Sequence, residues 1–381
     1  MKILIAAGIF KPELGGPATF AAEIGTRLLA AGHQVTLITY SSVASSEMGI
    51  FPFPVITVRR RQNKISNYIR YFWQMRRLTR ATVRPDLVYC LDWFSAGAPA
   101  AAVCRMRGVP YIVRVGGGYI WEKYLAQGRP PMTLRAFYER GIYRQYRLMY
   151  AVIGWVFSGA QKVIFNSDPQ RILFEKYYRL GTGQTGVVYN VASEILKPDA
   201  TTAIAIEQRR HEIVFAGRLI VMKNVTSLVR AFAKLRDESF TLSIIGAGPE
   251  EARLRHVVDE LGLAERVRFS PPLPQTELYR LVADAWLVVI PSWTDISPHQ
   301  VYECLAAGVP FLLTKENYLR LASDNFLKID PASVDDIAAA LNRLTDPAAY
   351  QAFIKSLEKL AVPWTWRDVV AAHERIFSEI K

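Results

Sequence analysis

Two carboxylates and two cations in the second half of the chain have the types and spacing for chemistry. Asp295 and Glu303 flank one helix start in the run Pro291-Ser-Trp-Thr-Asp-Ile-Ser-Pro-His-Gln-Val-Tyr-Glu303-Cys-Leu-Ala-Ala-Gly308-Val-Pro310. Ser297 reads as an N-cap, Pro298 as the first helical position and Gln300 as the partner in a capping box, and Gly308 stops the helix. The preceding run Trp286–Ile290 reads as a buried strand, so the helix mouth lies at a strand's carboxyl end. Free amides there, around Pro298-His299-Gln300, attract an anion such as a phosphate. Glu303, two turns inside, suits a sugar hydroxyl rather than a phosphate. Arg218 and Lys223 stand on one loop after another strand. A guanidinium grips phosphate bidentately and an ammonium adds a point charge, so together they would neutralise a departing diphosphate. Amides for phosphate beside acids for hydroxyls point to a nucleotide-sugar as ligand. The plainer reading is a capped helix with solvated acids and two surface cations.

Glycine turns follow three strands. Gly15-Gly16-Pro17 permits close backbone approach and opens a helix, which makes a second phosphate cradle. Gly217 precedes Arg218, and Ile245-Gly246-Ala-Gly248-Pro249 is a strand-to-helix turn that could pass under a nucleoside. Glu251 stands where a third glycine would complete a dinucleotide fingerprint, which weakens a nicotinamide reading. The five histidines are dispersed, and Cys90, Cys104 and Cys304 lack metal-ligand spacing. No metal site and no cofactor are expected.

These residues need a scaffold. A chain of 381 residues, 51% hydrophobic, is long enough for two domains. Ile3–Ala7, a helix over Pro17–Ala31 and Val35–Tyr40 form a βαβ unit; Leu87–Leu91, Tyr111–Val115, Ile164–Asn166 and Val187–Tyr189 extend its parallel sheet. A second series begins at Ile213–Ala216 and continues through a helix at Val225–Leu235, a strand at Phe240–Ile245, a helix at about Pro249–Leu261 and the strands Val267–Phe269, Trp286–Ile290 and Pro310–Leu313. Polar Ala192–Gln208 reads as the linker. The expected fold class is α/β, with Rossmann-like domains over 1–190 and 191–364. Such sheets bind ligands at the carboxyl ends of their strands.

Charge divides unevenly across the halves. Residues 1–190 carry 25 Lys/Arg against 9 Asp/Glu, and residues 191–381 carry 22 against 25. A basic half implies an anionic partner: nucleic acid, a phosphorylated substrate or an anionic membrane. No nucleic-acid recognition motif is present, so nucleic acid is not expected. Asn67–Arg84 mixes Tyr68, Tyr71, Phe72 and Trp73 with five arginines, the composition of a helix lying on a membrane surface, and Arg135–Arg147 repeats it. Leu148–Ala160 is the longest apolar run, too short to span a bilayer, and reads as a core helix. The apolar start is too short for a signal peptide and reads as the first strand, and cysteine usage fits a reducing compartment. A cytoplasmic location follows, peripheral on the inner membrane face if the basic half meets lipid.

In this order the motifs resemble the retaining glycosyltransferases of family 4, over nearly the whole chain. The resemblance is carried by Phe215-Ala-Gly-Arg218 with Lys223, by Ile245-Gly-Ala-Gly-Pro249, and by Pro291-Ser292 running to Asp295, Glu303 and Gly308-Val-Pro310. It implies a GT-B architecture, two Rossmann-like domains facing a central cleft, with a last helix over 365–381 returning to the first. It also implies that Arg218 and Lys223 bind the donor diphosphate, Glu303 the ribose, Asp295 the donor sugar and the amides near Ser297, Pro298, His299 and Gln300 a phosphate, with the Gly15-Gly16 loop closing over the site. Three positions depart from the family. Asp295 replaces the usual Glu, Gly116 stands where many members have histidine, and Asn190-Val191 replaces an Asn-Gly pair. Arg114, Trp121 and Glu122 then become candidates to line the acceptor pocket, with Asp92. The expected reaction moves a sugar from a nucleoside-diphosphate sugar to a lipid-linked or cell-envelope glycan, without a metal. A nucleotide-sugar epimerase of the same fold and a catalytically silent glycan- or partner-binding paralogue are the other readings.

Overall fold

A computed structural model describes residues 1–13, 16–42, 50–191, 208–296, 298–319, 327–357, 360 and 364–380. Nearly all of the expected linker, together with Gly15 and Ser297, lies outside the described residues. The chain divides into two compact units: Met1–Ile120 with Gly141–Tyr189 and Trp366–Lys381, and Trp121–Arg140 with Asn190–Thr365.

The strands in chain order are β1 (Lys2–Ala7), β2 (Gln34–Ser41), β3 (Val55–Arg59), β4 (Leu87–Cys90), β5 (Tyr111–Val115), β6 (Lys162–Phe165), β7 (Thr185–Val187), β8 (Arg210–Ala216), β9 (Thr241–Ile245), β10 (Val267–Ser270), β11 (Ala285–Ile290), β12 (Phe311–Thr314) and β13 (Lys328–Ile329). The helices are α1 (Gly16–Ala30), α2 (Lys64–Leu78), α3 (Gly97–Arg107), α4 (Tyr119–Ala126), α5 (Leu134–Glu139), α6 (Arg147–Ser158), α7 (Asp168–Tyr178), α8 (Val225–Phe232), α9 (Glu251–Glu260), α10 (Gln275–Asp284), α11 (His299–Ala306), α12 (Val334–Thr345), α13 (Pro347–Leu357) and α14 (Trp366–Ser378).

Every strand pairing is parallel, in the orders β3-β2-β1-β4-β5-β6-β7 and β10-β9-β8-β11-β12-β13. Strands such as β4 and β11 are buried along their whole length, which is why they read as continuous apolar runs rather than alternating ones. Chain order reverses between β1 and β4 in one sheet and between β8 and β11 in the other. The crevice beyond the carboxyl ends at each reversal is the natural ligand site of a doubly wound sheet.

The first unit is completed by α14. Trp366 packs beside Phe20 of α1 with ring centroids 5.8 Å apart, and the Arg27 guanidinium lies 4.8 Å from its ring. Deeper in, His373 Nδ1 lies 2.7 Å from the Val369 carbonyl oxygen, and Nε2 lies 2.7 Å from the Tyr89 hydroxyl. Burial, helped by the charge of Arg114, lowers the His373 pKa to about 3, so the ring is neutral.

Three helical readings need correction. The stretch expected over Asn67–Arg84 is α2, which starts earlier and ends at Leu78. Asn63 Oδ1 caps it by accepting from Ile65 and Ser66, and Thr79 N–H returns to the Met75 carbonyl. Tyr71 and Met75 face the core, while Ile65, Ile69 and Trp73 are exposed. The run Leu148–Ala160 is not a core helix. Ile153, Val156 and Phe157 of α6 are buried, but Leu148 is 79% exposed and Trp155 41%. An apolar run without polar positions gives no signal of which side faces water. Nor is Arg135–Arg147 one amphipathic element, since the chain passes from the second unit to the first at Arg140 and Gly141. Among the described residues, no helix is long and apolar enough to cross a membrane.

Candidate active site

In the second unit the loops after β8 and β9 are locked together. Gly217 N–H donates to the Ile245 carbonyl and Leu219 N–H to Ala247, each at 2.9 Å, and Glu250 N–H returns to Leu219 at 3.0 Å. Gly246 has φ +149°, and a Cβ there would lie 1.9 Å from the Gly217 carbonyl oxygen; one on Gly248 would lie 2.2 Å from the Leu219 oxygen. These glycines therefore serve backbone-to-backbone contact between two loops. Arg218, between two anchored residues, is exposed and forms no ion pair among the described residues.

Lys223 does not stand free beside it. Its Nζ donates to Asp295 Oδ2 at 2.9 Å, and Ser292 Oγ donates to the same oxygen at 3.0 Å. The side chains are 23% and 9% exposed, so the pair is largely withdrawn from water. Asn224 sets this geometry. It holds φ +55°, a conformation Asn tolerates better than most residues, and its Nδ2 donates to the Pro291 carbonyl at 3.1 Å and to Pro331 at 2.8 Å. Those bonds fix the end of β11 next to the residue that bears the ammonium. The backbone of Asp295 is stitched to the segment after β12, by Asp295 N–H to Glu316 O and Tyr318 N–H to Asp295 O, both 3.0 Å. On the same loop Thr294 Oγ1 accepts from Leu134 N–H at 2.8 Å, so α5 buttresses it. Ser292 enters the sequence reading only within the motif that carries the resemblance, and neither Asn224 nor α5 has a role there.

The start of α11 differs from expectation. The helix begins at His299, Pro298 holds the cap position with φ −73° and ψ 87°, and its side chain caps nothing. No capping box with Gln300 forms from that position. The helix stops as read, with Gly308 at φ +62°. Glu303 lies one turn in rather than two and is half-buried. Burial pushes its carboxyl up, and a hydrogen bond with Gln275 of α10 opposes that.

The acceptor-side candidates divide between the two units, Asp92, Arg114 and Gly116 in the first and Trp121 and Glu122 in the second. The Arg114 guanidinium is buried, donating to the Val188 carbonyl at 2.9 Å and lying 4.2 Å from the Phe20 ring centroid, so it belongs to the core under α14. Trp121 is buried in the second unit, its Nε1 donating to Met132 O at 2.8 Å. Glu122, on α4, is half-buried. Asp92 spends its carboxylate on the entry to α3: Oδ1 accepts from Phe94 N–H at 2.7 Å and Ala96 N–H at 3.2 Å, and Oδ2 from the Ser95 hydroxyl. Gly116 is exposed at the end of β5, and a Cβ there would meet nothing within 4 Å, so packing does not demand glycine. Gly16 opens α1 and is equally unconstrained.

The chemistry thus concentrates at the β8/β11 reversal: a free guanidinium, a lysine–aspartate pair and a half-desolvated glutamate. The family model described as Glycosyltransferase Family 4 matches residues 14–192, and that described as Glycosyl transferases group 1 matches residues 198–359. The chain belongs to glycosyltransferase family 4. This glycosyltransferase is 23% identical over 367 residues to a D-inositol 3-phosphate glycosyltransferase of Arthrobacter sp. (strain FB24), covering 88% of this chain and 83% of that one. The match to the protein of that name from Mycobacterium marinum is 29% over 203 residues, spanning 50% of this chain and 43% of the relative. It is also 24% identical to a glycogen synthase of Mycobacterium tuberculosis, over all of this chain and 95% of that one. Among solved structures, the sucrose-phosphate synthase of Thermosynechococcus elongatus superposes with a TM-score of 0.80 at 18% identity, covering 100% and 99% of the two chains. WaaG, a glycosyltransferase involved in lipopolysaccharide biosynthesis, superposes at 0.73 and 17%, covering both chains in full. The glycosyltransferase thus has the GT-B fold.

Proposed function

We propose that the protein is a retaining transferase that moves a sugar from a nucleoside-diphosphate sugar to a lipid-linked or cell-envelope glycan, at the cytoplasmic face of a membrane. The observation that carries the donor half is the convergence of exposed Arg218 with the Lys223–Asp295 pair at the reversal point of the second sheet. A structural relative, HepE of Anabaena, was solved with UDP and glucose, which supports a nucleotide-sugar here. The acceptor half rests on the basic first half of the chain.

In this reading Arg218 and Lys223 neutralise the diphosphate as it leaves, and Asp295 Oδ1 receives a donor-sugar hydroxyl while Oδ2 stays on Lys223. Attack comes from the face the diphosphate leaves. The anomeric carbon–oxygen bond to phosphate breaks, the bond to the acceptor oxygen forms, and the acceptor proton passes to the departing phosphate oxygen. No protein carboxylate is needed as nucleophile. Side-chain cations supply the charge, so turnover should persist in excess EDTA. A thermal-shift series over UDP-, GDP-, ADP- and TDP-sugars, followed by turnover of the stabilising donor with chelator, tests this. No stabilisation by any donor, or chelator-sensitive turnover restored by Mg²⁺, would overturn it.

Glu303 gives the donor site a pH dependence. Accepting from ribose hydroxyls requires the carboxylate, and its raised pKa means protonation begins at a higher pH than for an ordinary glutamate. Donor affinity should be full above that raised pKa and fall as pH drops through it. The loss is about 10–100-fold, the worth of a hydrogen bond to a charged group. Calorimetric titration of Glu303→Gln should give weaker binding with a flatter pH profile; a profile like the parent's would remove Glu303 from the site.

A further inference from the structure

A cavity of about 810 Å³ in the first unit, lined by none of the candidate site residues, is formed by Tyr143, Arg144, Arg147, Tyr150, Tyr177 and Arg179 among others. Its floor is aromatic. Tyr143 lies 4.9 Å from Tyr150 and 5.5 Å from Tyr177, and Tyr150 stacks on Tyr178 at 4.7 Å, ring centroid to centroid. Its rim is cationic. Arg144 and Arg179 both lie close enough to act on the Tyr150 hydroxyl, and none of the three arginines is ion-paired with a carboxylate among the described residues. Three exposed guanidiniums around one hollow, none paired with a carboxylate among the described residues, offer an anion several donors at once. Their planar donors suit phosphate oxygens.

The surroundings say what carries that phosphate. Helices α2, α3 and α6 lie side by side, α2 on α3 and α3 on α6. Their sequences contain Lys64, Arg70, Arg76, Arg77, Arg105, Arg107 and Arg147 and no acidic residue. They also expose Ile65, Ile69 and Trp73, Met106, and Leu148 and Trp155. A soluble phosphate ester needs the guanidiniums but has no use for exposed apolar side chains; a lipid uses both, headgroup to arginine and acyl region to apolar side chain.

We propose that this cavity is a headgroup site for an anionic phospholipid and that the α2–α3–α6 layer is the surface laid on the bilayer. The inference rests on the reading of a membrane-borne acceptor and gives that reading a location. Ala151, exposed at the cavity's edge, provides the cleanest probe. Ala151→Glu puts a carboxylate among the arginines, and Arg144→Gln/Arg147→Gln removes two of them. Full-length protein would be co-sedimented with phosphatidylcholine vesicles, with and without phosphatidylglycerol, across a salt series. Circular dichroism would verify folding.

The parent should bind only the anionic vesicles. Both variants should lose at least ~10-fold in partitioning, more than the control Arg59→Gln/Arg61→Gln, which removes as much charge as the arginine pair and more than Ala151→Glu does. The excess loss should persist near ~0.5 M salt, where diffuse attraction is screened. Equal losses in cavity and control variants would reduce the site to diffuse charge and overturn it. So would absence of binding to phosphatidylglycerol vesicles. Stabilisation of the parent, but not of Ala151→Glu, by inorganic phosphate without any vesicle binding would assign the cavity to a soluble phosphate ester instead. Donor turnover is measured separately, so failure here leaves glycosyl transfer standing, and loss of turnover leaves the vesicle result interpretable.

Discussion

Arg218→Ala should lower turnover by at least ~100-fold, the scale for removing one transition-state charge stabiliser, with no change in melting temperature. The second half of that expectation comes from the structure: the side chain is exposed and unpaired among the described residues, so its removal leaves nothing buried without a partner. Lys223→Ala should match the kinetic loss but also destabilise the fold, because Asp295, 9% exposed, keeps only Ser292 on its Oδ2. A polar group stranded in this way costs ~1–3 kcal/mol. The double change Lys223→Met/Asp295→Asn should recover most of that stability and none of the turnover, since it removes the demand for a counter-charge along with the charge. Steady-state kinetics and thermal unfolding of the four proteins decide the matter. Near-normal rates in both single variants would place the diphosphate elsewhere.

Gly246→Ala should be the most damaging single methyl group in the second unit. The new Cβ would need to lie 1.9 Å from the Gly217 carbonyl oxygen, a backbone atom with no rotamer to change, and φ +149° is itself strained for any L-residue. About 3 kcal/mol or more is the expected loss, or a fall of roughly 6–12 °C in melting temperature for a unit of this size. The relieving movement pushes on Gly217, and Arg218 travels with it. A displacement near 1 Å at a positioned group costs ~100-fold in rate. Gly16→Ala, where a Cβ meets nothing, should leave stability unchanged. A Gly246→Ala protein as stable as the parent would mean that the two loops are less tightly joined than their hydrogen bonds indicate.

The residues legible in the sequence are those placed by strand ends. Arg218, Lys223, Asp295 and Glu303 stand within a loop or one helical turn of β8 or β11, and local pattern locates such positions well. Asn224 gives no local signal of its role, because its partners are the carbonyls of Pro291 and Pro331, remote in sequence. Arg114 is a pocket candidate only through the resemblance, within the strand Tyr111–Val115, and the fold places its guanidinium beside Phe20 and the Val188 carbonyl. The α11 cap failed on one dihedral: ψ 87° at Pro298 keeps it outside the helix, which shifts every cap position by one.

The return of α14 to the first unit bears on how the protein is made. Met1–Ile120 and Gly141–Tyr189 leave the ribosome without the helix that covers Phe20 and supplies His373 to Tyr89. At about 5–20 residues per second, the nascent chain must emit the whole second unit before that apolar flank closes. The half synthesised first is therefore the half completed last. Until then Phe20 and Tyr89 lack the helix that packs on them in the finished fold.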